Sequence, residues 1–265
     1  MFVAEIAPQV DRLVWTVNGH TGRSGSYRPA FDAAGIPDMD FSSLANLVPA
    51  LLGGPLPEST FLLRYRYRDP LIVREMVGDL VGAGCLEGDP DGYRATARLH
   101  PAMKAIRGGV AATAGELWAD HGGAVDVLSG LVRRVLNDAP AGELVDAYRH
   151  VAEPEEPADR LHQRLAMLRL VRNEAHAEAW ASRGLTAADM VMLTALWNGD
   201  DVPGEARSGP EGLVSNGSLT DRGERLRDEV EADTNSRNEP AFSGLSPSER
   251  AEFLGAVTQL PGTPP

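Results

Sequence analysis

A single cysteine, Cys85, is all the thiol the chain carries, so no internal disulfide can form. No stretch approaches the ~18 consecutive apolar residues of a bilayer span, so no membrane contact is expected. The opening Met1-Phe2-Val3-Ala4-Glu5 has neither a basic segment nor an apolar one. No secretory signal is expected there, and a cytoplasmic protein is. HExxH, paired-cysteine, phosphate-loop and dinucleotide spacings are all missing, so neither a metal nor a cofactor is expected. Positive charge is also short. The chain has 25 Lys+Arg against 38 Asp+Glu, a net −13. Residues 1–98 and 99–182 each carry −3, and residues 183–265 carry −7. A protein that neutralises phosphates gathers positive charge. DNA therefore remains open as a partner only through a local patch, against the global field. Lys104 is the one lysine.

What is present is a core and a pattern. A length of 265 residues, 43% of them hydrophobic, allows one or two domains around a sizeable core. Gly212 to Leu226 reads as a short strand, a turn at Asn216-Gly217, a second strand, then a helix capped by Thr220. That is a wing and its following helix. A second copy runs from Gly84 through the turn Gly88-Asp89-Pro90-Asp91-Gly92 to Arg98, with a helix after it. The expected fold is mainly α: two winged-helix-like units joined by a helical middle.

Around these units the 3.6-residue periodicity places helices at 3–17, 27–34, 57–63, 70–81, 101–118, 122–136, 141–151, 157–182, 187–198, 221–233 and from Ser246 onward. A further one, carrying Leu44, Leu47, Val48, Leu51 and Leu52, starts at Ser42 or Ser43 and ends at Gly53-Gly54. Asp69 with Pro70, Thr186 with Asp189, and Ser246 with Glu249 supply start signals. Asn18 to Gly25 reads as a glycine-rich loop. Glu153-Pro154-Glu155-Glu156-Pro157 is the clearest break, dividing the chain into 1–152 and 153–265.

Leu168 to Trp180, Gly184 to Ala188, Leu193 to Trp197, and Leu219 to Arg227 followed by Glu231 to Thr234 together resemble an actinobacterial helix-turn-helix family loosely related to MarR-type regulators. The resemblance is best over about 165–260. It implies a regulator-like function. The spacing departs from a complete winged helix in one place. Only residues 199–212, rich in Pro and Gly, separate helix 187–198 from the second wing. A second helix, turn and recognition helix need about 25 residues, so this unit is expected to lack a recognition helix.

Two clusters carry candidate chemistry. Arg64-Tyr65-Arg66-Tyr67-Arg68 is the concentrated basic stretch, and with Arg94 on the first wing it is the candidate DNA contact. A surface turn paired to local acids is the competing reading. Helix 70–81 opens with Leu71, Ile72 and Val73 where base readers place Arg, Asn, Gln or Lys, so it reads as a buried packing element. Arg172 and His176 share a helix face, with His162 near it. With His20 approaching from loop 18–25, they form the candidate ligand site; helix-to-helix hydrogen bonding is the competing role. Cys85, in a probable strand, reads as a buried thiol.

Two functions follow. One is a regulator-like winged-helix protein that binds a small molecule and admits DNA. The other is a winged-helix protein of specialised metabolism, reused to bind or transform a small molecule in an inter-domain pocket. A homodimer is left open.

Overall fold

The structure is a computed structural model that describes residues 1–36, 47, 50, 51, 54–89, 91–140, 142–199 and 212–263. Among these, eleven α-helices and two small hairpins follow the order expected for a mainly α protein. They are α1 (Phe2–Ser24), α2 (Arg28–Ala34), α3 (Glu58–Arg64), α4 (Pro70–Gly82), β1 (Leu86–Asp89) and β2 (Gly92–Ala95). Then come α5 (His100–Leu117), α6 (Gly122–Asp138), α7 (Glu143–Arg149), α8 (Pro157–Ala181) and α9 (Ala187–Asn198). The chain closes with β3 (Val214–Ser215), β4 (Ser218–Leu219), α10 (Asp221–Asn238) and α11 (Pro247–Gln259). No described helix is long and apolar enough to cross a membrane.

The start signals act as the sequence reads. Asp69 accepts from the Leu71 amide with Pro70 in the first turn, and Thr186–Asp189 and Ser246–Glu249 close both arms of a capping box. The glycine-rich stretch 18–25 is not a loop. It is the last two turns of α1, ended by Gly25 at φ 63. Burial overrides propensity here. Val17, Asn18 and Thr21 face inward, and Thr21 Oγ1 bonds back to Val17 O at 2.9 Å while reaching Thr113 Oγ1 of α5 at 3.0 Å.

The first unit has the winged-helix arrangement. α3, the turn 65–69 and α4 precede a β1–β2 hairpin in the register Leu86↔Ala95 to Asp89↔Gly92. Leu56 adds a third strand position, exchanging two 2.8 Å bonds with Tyr93. Leu47, Ala50 and Leu51 are helical and buried ahead of it; the cap at Ser42 or Ser43, Leu44, Val48, Leu52 and Gly53 fall outside the described residues. α4 buries Val73, Met76, Val77 and Leu80, but Leu71 and Ile72 are 64% and 54% exposed. The packing-element reading holds for one face only.

α8 is the axis. It touches α1, α5, α6, α7 and α10. The main apolar core runs from Val3 through Leu161 and Leu165 to Val257 and Leu260, so it continues across the Glu153–Pro157 break. A smaller core, with Ala179, Leu185, Met190, Leu193, Leu213 and Val230, holds the second wing to the end of α8. In that wing Asn216 and Gly217 take φ 53 and 74, the two positive values a tight hairpin turn requires. Residues 200–211, where the recognition-helix argument falls, lie outside the described residues.

Candidate functional site at the crossing of α8 and α10

Four-residue spacing sets this site. Arg172, His176 and Trp180 lie on one face of α8, and Arg227, Glu231 and Thr234 on one face of α10. The two stripes meet. Arg172 Nη2 donates to Glu231 Oε2 at 2.7 Å, and His176 Nδ1 lies 3.0 Å from Thr234 Oγ1. Thr234 gives its own hydroxyl proton to Val230 O at 2.7 Å. Its oxygen therefore accepts from His176, which fixes the proton on Nδ1 and leaves the Nε2 lone pair bare. Burial lowers the His176 pKa, the Glu231 carboxylate opposes that shift, and the Arg172, Arg227 and Arg66 charges add to it.

The turn between α3 and α4 closes the third side. Tyr67 stands against the His176 ring, centroids 6.3 Å apart. Its ring is open to solvent, yet desolvation of its hydroxyl raises its pKa, opposed by a hydrogen bond from the Trp180 indole. The Arg227 guanidinium lies 4.4 Å over the exposed Trp197 ring. Arg172 Nε and Arg227 Nε are both buried without a hydrogen-bond partner. Two orphaned donors in one neighbourhood are unusual, because a buried donor left unpaired costs about 1–3 kcal/mol.

The expected site residues separate. His20 does not reach Arg172 or His176. α1 runs antiparallel to α8, with Val14 beside His162 and Asp11 paired to Arg169. His20 lies nine residues beyond Asp11 and His176 seven beyond Arg169 in the opposite direction, which puts them ~24 Å apart along the shared axis. His162 also leaves the His176 face and turns to α1. Of the basic stretch, Arg64 lines a cavity and meets the Tyr148 hydroxyl. Arg66 donates to Leu63 O at 3.0 Å, and its charge is felt at Glu174 and His176. Arg68 lies over Tyr65 at 5.7 Å. Arg94 is exposed on β2 opposite Glu87. The four arginines therefore enter four environments. Cys85 is fully buried, and burial pushes its thiol pKa up.

Arg227, Glu231 and Thr234 escaped the sequence reading. Their spacing on α10 was visible, but nothing in the sequence indicated that this stripe faces α8.

A helix-turn-helix family is matched over residues 90–262. The chain belongs to this family. No curated protein and no solved structure matches it. The family region begins inside the first hairpin and takes in the helical middle, α8, α9, the second wing, α10 and α11. The α8–α10 crossing thus lies wholly on the family's own part of the chain. α3 and α4 precede it.

Proposed function

We propose that this helix-turn-helix protein is a regulator-like sensor of a small aromatic anion, seated where α8, α10 and the α3–α4 turn meet. Kinship to MarR-type regulators is part of the proposal. The observation that carries it is the pair of buried, unpartnered donors, Arg172 Nε and Arg227 Nε, beside His176. Both are guanidinium groups, which favour a carboxylate or phenolate. Tyr67 and Trp197 supply exposed aromatic faces at the rim. His176 Nε2 can accept a ligand hydroxyl.

Arg172 and His176 also tie α8 to α10, so their loss is expected to cost stability whether or not a ligand binds. Arg227→Met is the cleaner probe, since it keeps much of the side chain's length and deletes the guanidinium. Benzoate and salicylate should raise the melting temperature of the full chain by mass action. Arg227→Met should weaken that response while the apo melting temperature stays near wild type. Absence of any response in the wild type, or an equal response in the variant, rejects the site.

α4 does not favour a DNA reading of this unit. Its first turn presents Leu71 and Ile72, and Arg74 is paired with Glu58 at 2.8 Å. Family membership is what keeps DNA in view, and the salt experiment described in the Discussion tests it.

A further inference from the structure

Two arginines of α8 each hold a glutamate, and they hold it differently. Arg164 gives Glu153 both Nε and Nη2, at 2.7 and 2.5 Å. Arg172 gives Glu231 Oε2 its Nη2 at 2.7 Å, while its Nε–H is buried without a partner. Nε–H and Nη2 form the flat, two-pronged edge on which a carboxylate sits with both oxygens. At Arg172 half of that edge is empty. The other Glu231 oxygen is no better placed. Oε1 lies 4.0 Å from His176 Nδ1, beyond hydrogen-bond reach, and that nitrogen already faces Thr234 Oγ1 at 3.0 Å.

Glu231 is also free to leave. Its side chain is 33% exposed, so it can turn into water without crossing the core. A partly exposed ion pair is worth at most about a few-fold in an equilibrium constant. α10 keeps its place on α8 by other ties. Thr234 meets His176, Arg183 pairs with Asp233 at 2.6 Å, and Arg237 pairs with Glu178 at 3.2 Å. Val230 stays in the apolar core that it shares with Ala179. What Glu231 vacates is a space of one carboxylate's size and charge, against an arginine edge with both donors open.

We propose that Glu231 is a built-in competitor for the anion: the ligand's carboxylate displaces it from Arg172 and takes Nε and Nη2 together. The displacement rests on the aromatic-anion seat proposed for this crossing and adds its regulation. Affinity is then a difference between the ligand's two-donor grip and the one-donor grip of Glu231. Removing the competitor tightens binding, the opposite of the loss expected for Arg227→Met.

Glu231→Gln keeps an oxygen for Arg172 Nη2 but carries no charge. Benzoate and its neutral isostere benzamide are titrated by calorimetry into the full chain, wild type and variant. Benzoate should bind Glu231→Gln about three- to five-fold more tightly than wild type, and benzamide should bind the two alike. A second measurement needs no variant. In wild type labelled with ¹³C at the glutamate carboxyls, saturating benzoate should move the Glu231 Cδ resonance to that of a solvated carboxylate. Wild-type binding that Glu231→Gln leaves equal or weakens overturns the displacement and keeps the seat. So does an equal gain for benzamide, or an unmoved Cδ resonance in the saturated protein. No benzoate binding by either protein overturns the displacement and the seat together.

Discussion

Arg164 Nη1 lies 2.8 Å from both the carbonyl and the hydroxyl oxygen of Ser129, joining α8 to α6 inside the core. The guanidinium is 6% exposed, and its remaining donors fork onto Glu153 at 2.7 and 2.5 Å. Glu153 stands in the proline-rich segment that the sequence marks as a break. The fork fastens that segment to the axis helix. The carboxylate is 48% exposed, so solvent screens part of the attraction. Arg164→Met should cost about 2 kcal/mol, chiefly through the lost charge-assisted bonds to Ser129 and Glu153. Glu153→Gln should cost about 1 kcal/mol or less, since the amide oxygen still accepts. Urea unfolding of both variants checks the order; a costlier Glu153→Gln would contradict it.

His162 predicts an acid-sensitive core. Burial first, then the Arg107 and Arg169 charges, lower its pKa from 6.5 to about 4. The unfolded chain binds this proton below pH 6.5, and the folded chain does so only near pH 4. The stabilisation is therefore complete above 6.5 and lost as pH falls through that window, by about 3 kcal/mol in all. Glu249 adds a second loss lower down. Held by Arg134 and the Ser246 cap, its pKa falls from 4.5 to about 2. Glu174 works in the opposite sense, because burial raises its pKa. Stability curves at pH 7, 5.5 and 4 should show His162→Asn flatter than wild type between 6.5 and 4. Parallel curves would mean that His162 titrates normally in the fold.

The first wing can be broken at a single glycine. Gly92 takes φ 136, and a Cβ there would sit 2.2 Å from Leu56 O, the acceptor of the Tyr93 amide. Gly88, across the hairpin, has open space around it. Gly92→Ala should cost about 2–3 kcal/mol and release the Leu56 strand position, while Gly88→Ala should stay within about 1 kcal/mol. Amide exchange at Tyr93 separates the two. Equal protection in both variants would show that Leu56 pairing does not depend on this glycine.

Much of this fold is legible because local signals agree. Asp69-Pro70, Thr186 with Asp189, Ser246 with Glu249 and Asn216-Gly217 each set a boundary using residues within a few positions. The glycines of stretch 18–25 suggest a loop, while the contact that keeps it helical is with Gly109 and Thr113 on another helix. The candidate site fails in the same way. Arg172 and His176 could be paired by four-residue spacing, but placing His20 near them needed the direction of α1 against α8. Arg64, Arg66 and Arg68 are neighbours in sequence, yet α3 ends at Arg64 and the turn sends each side chain to a different place.

That divergence yields the DNA prediction. If the chain binds duplex, affinity should fall with salt in proportion to the phosphates neutralised. Arg68 and Arg94 are exposed, and Arg66 is half-buried beside α8. Arg64 lines the cavity and meets Tyr148. Arg68→Ala and Arg94→Ala should each reduce the logarithmic salt slope by about 1, the value for one lost phosphate contact. Arg64→Ala should leave the slope unchanged and lower stability instead. α4 reads no bases in this account, because Leu71 and Ile72 occupy its first turn, so any complex should be insensitive to sequence. Fluorescence anisotropy with two unrelated duplexes from 20 to 200 mM salt tests all three statements. A slope that drops for Arg64→Ala would mean the inward arginine turns out to meet phosphate. A strong preference for one duplex would mean that α4, or residues 200–211, reads the groove after all.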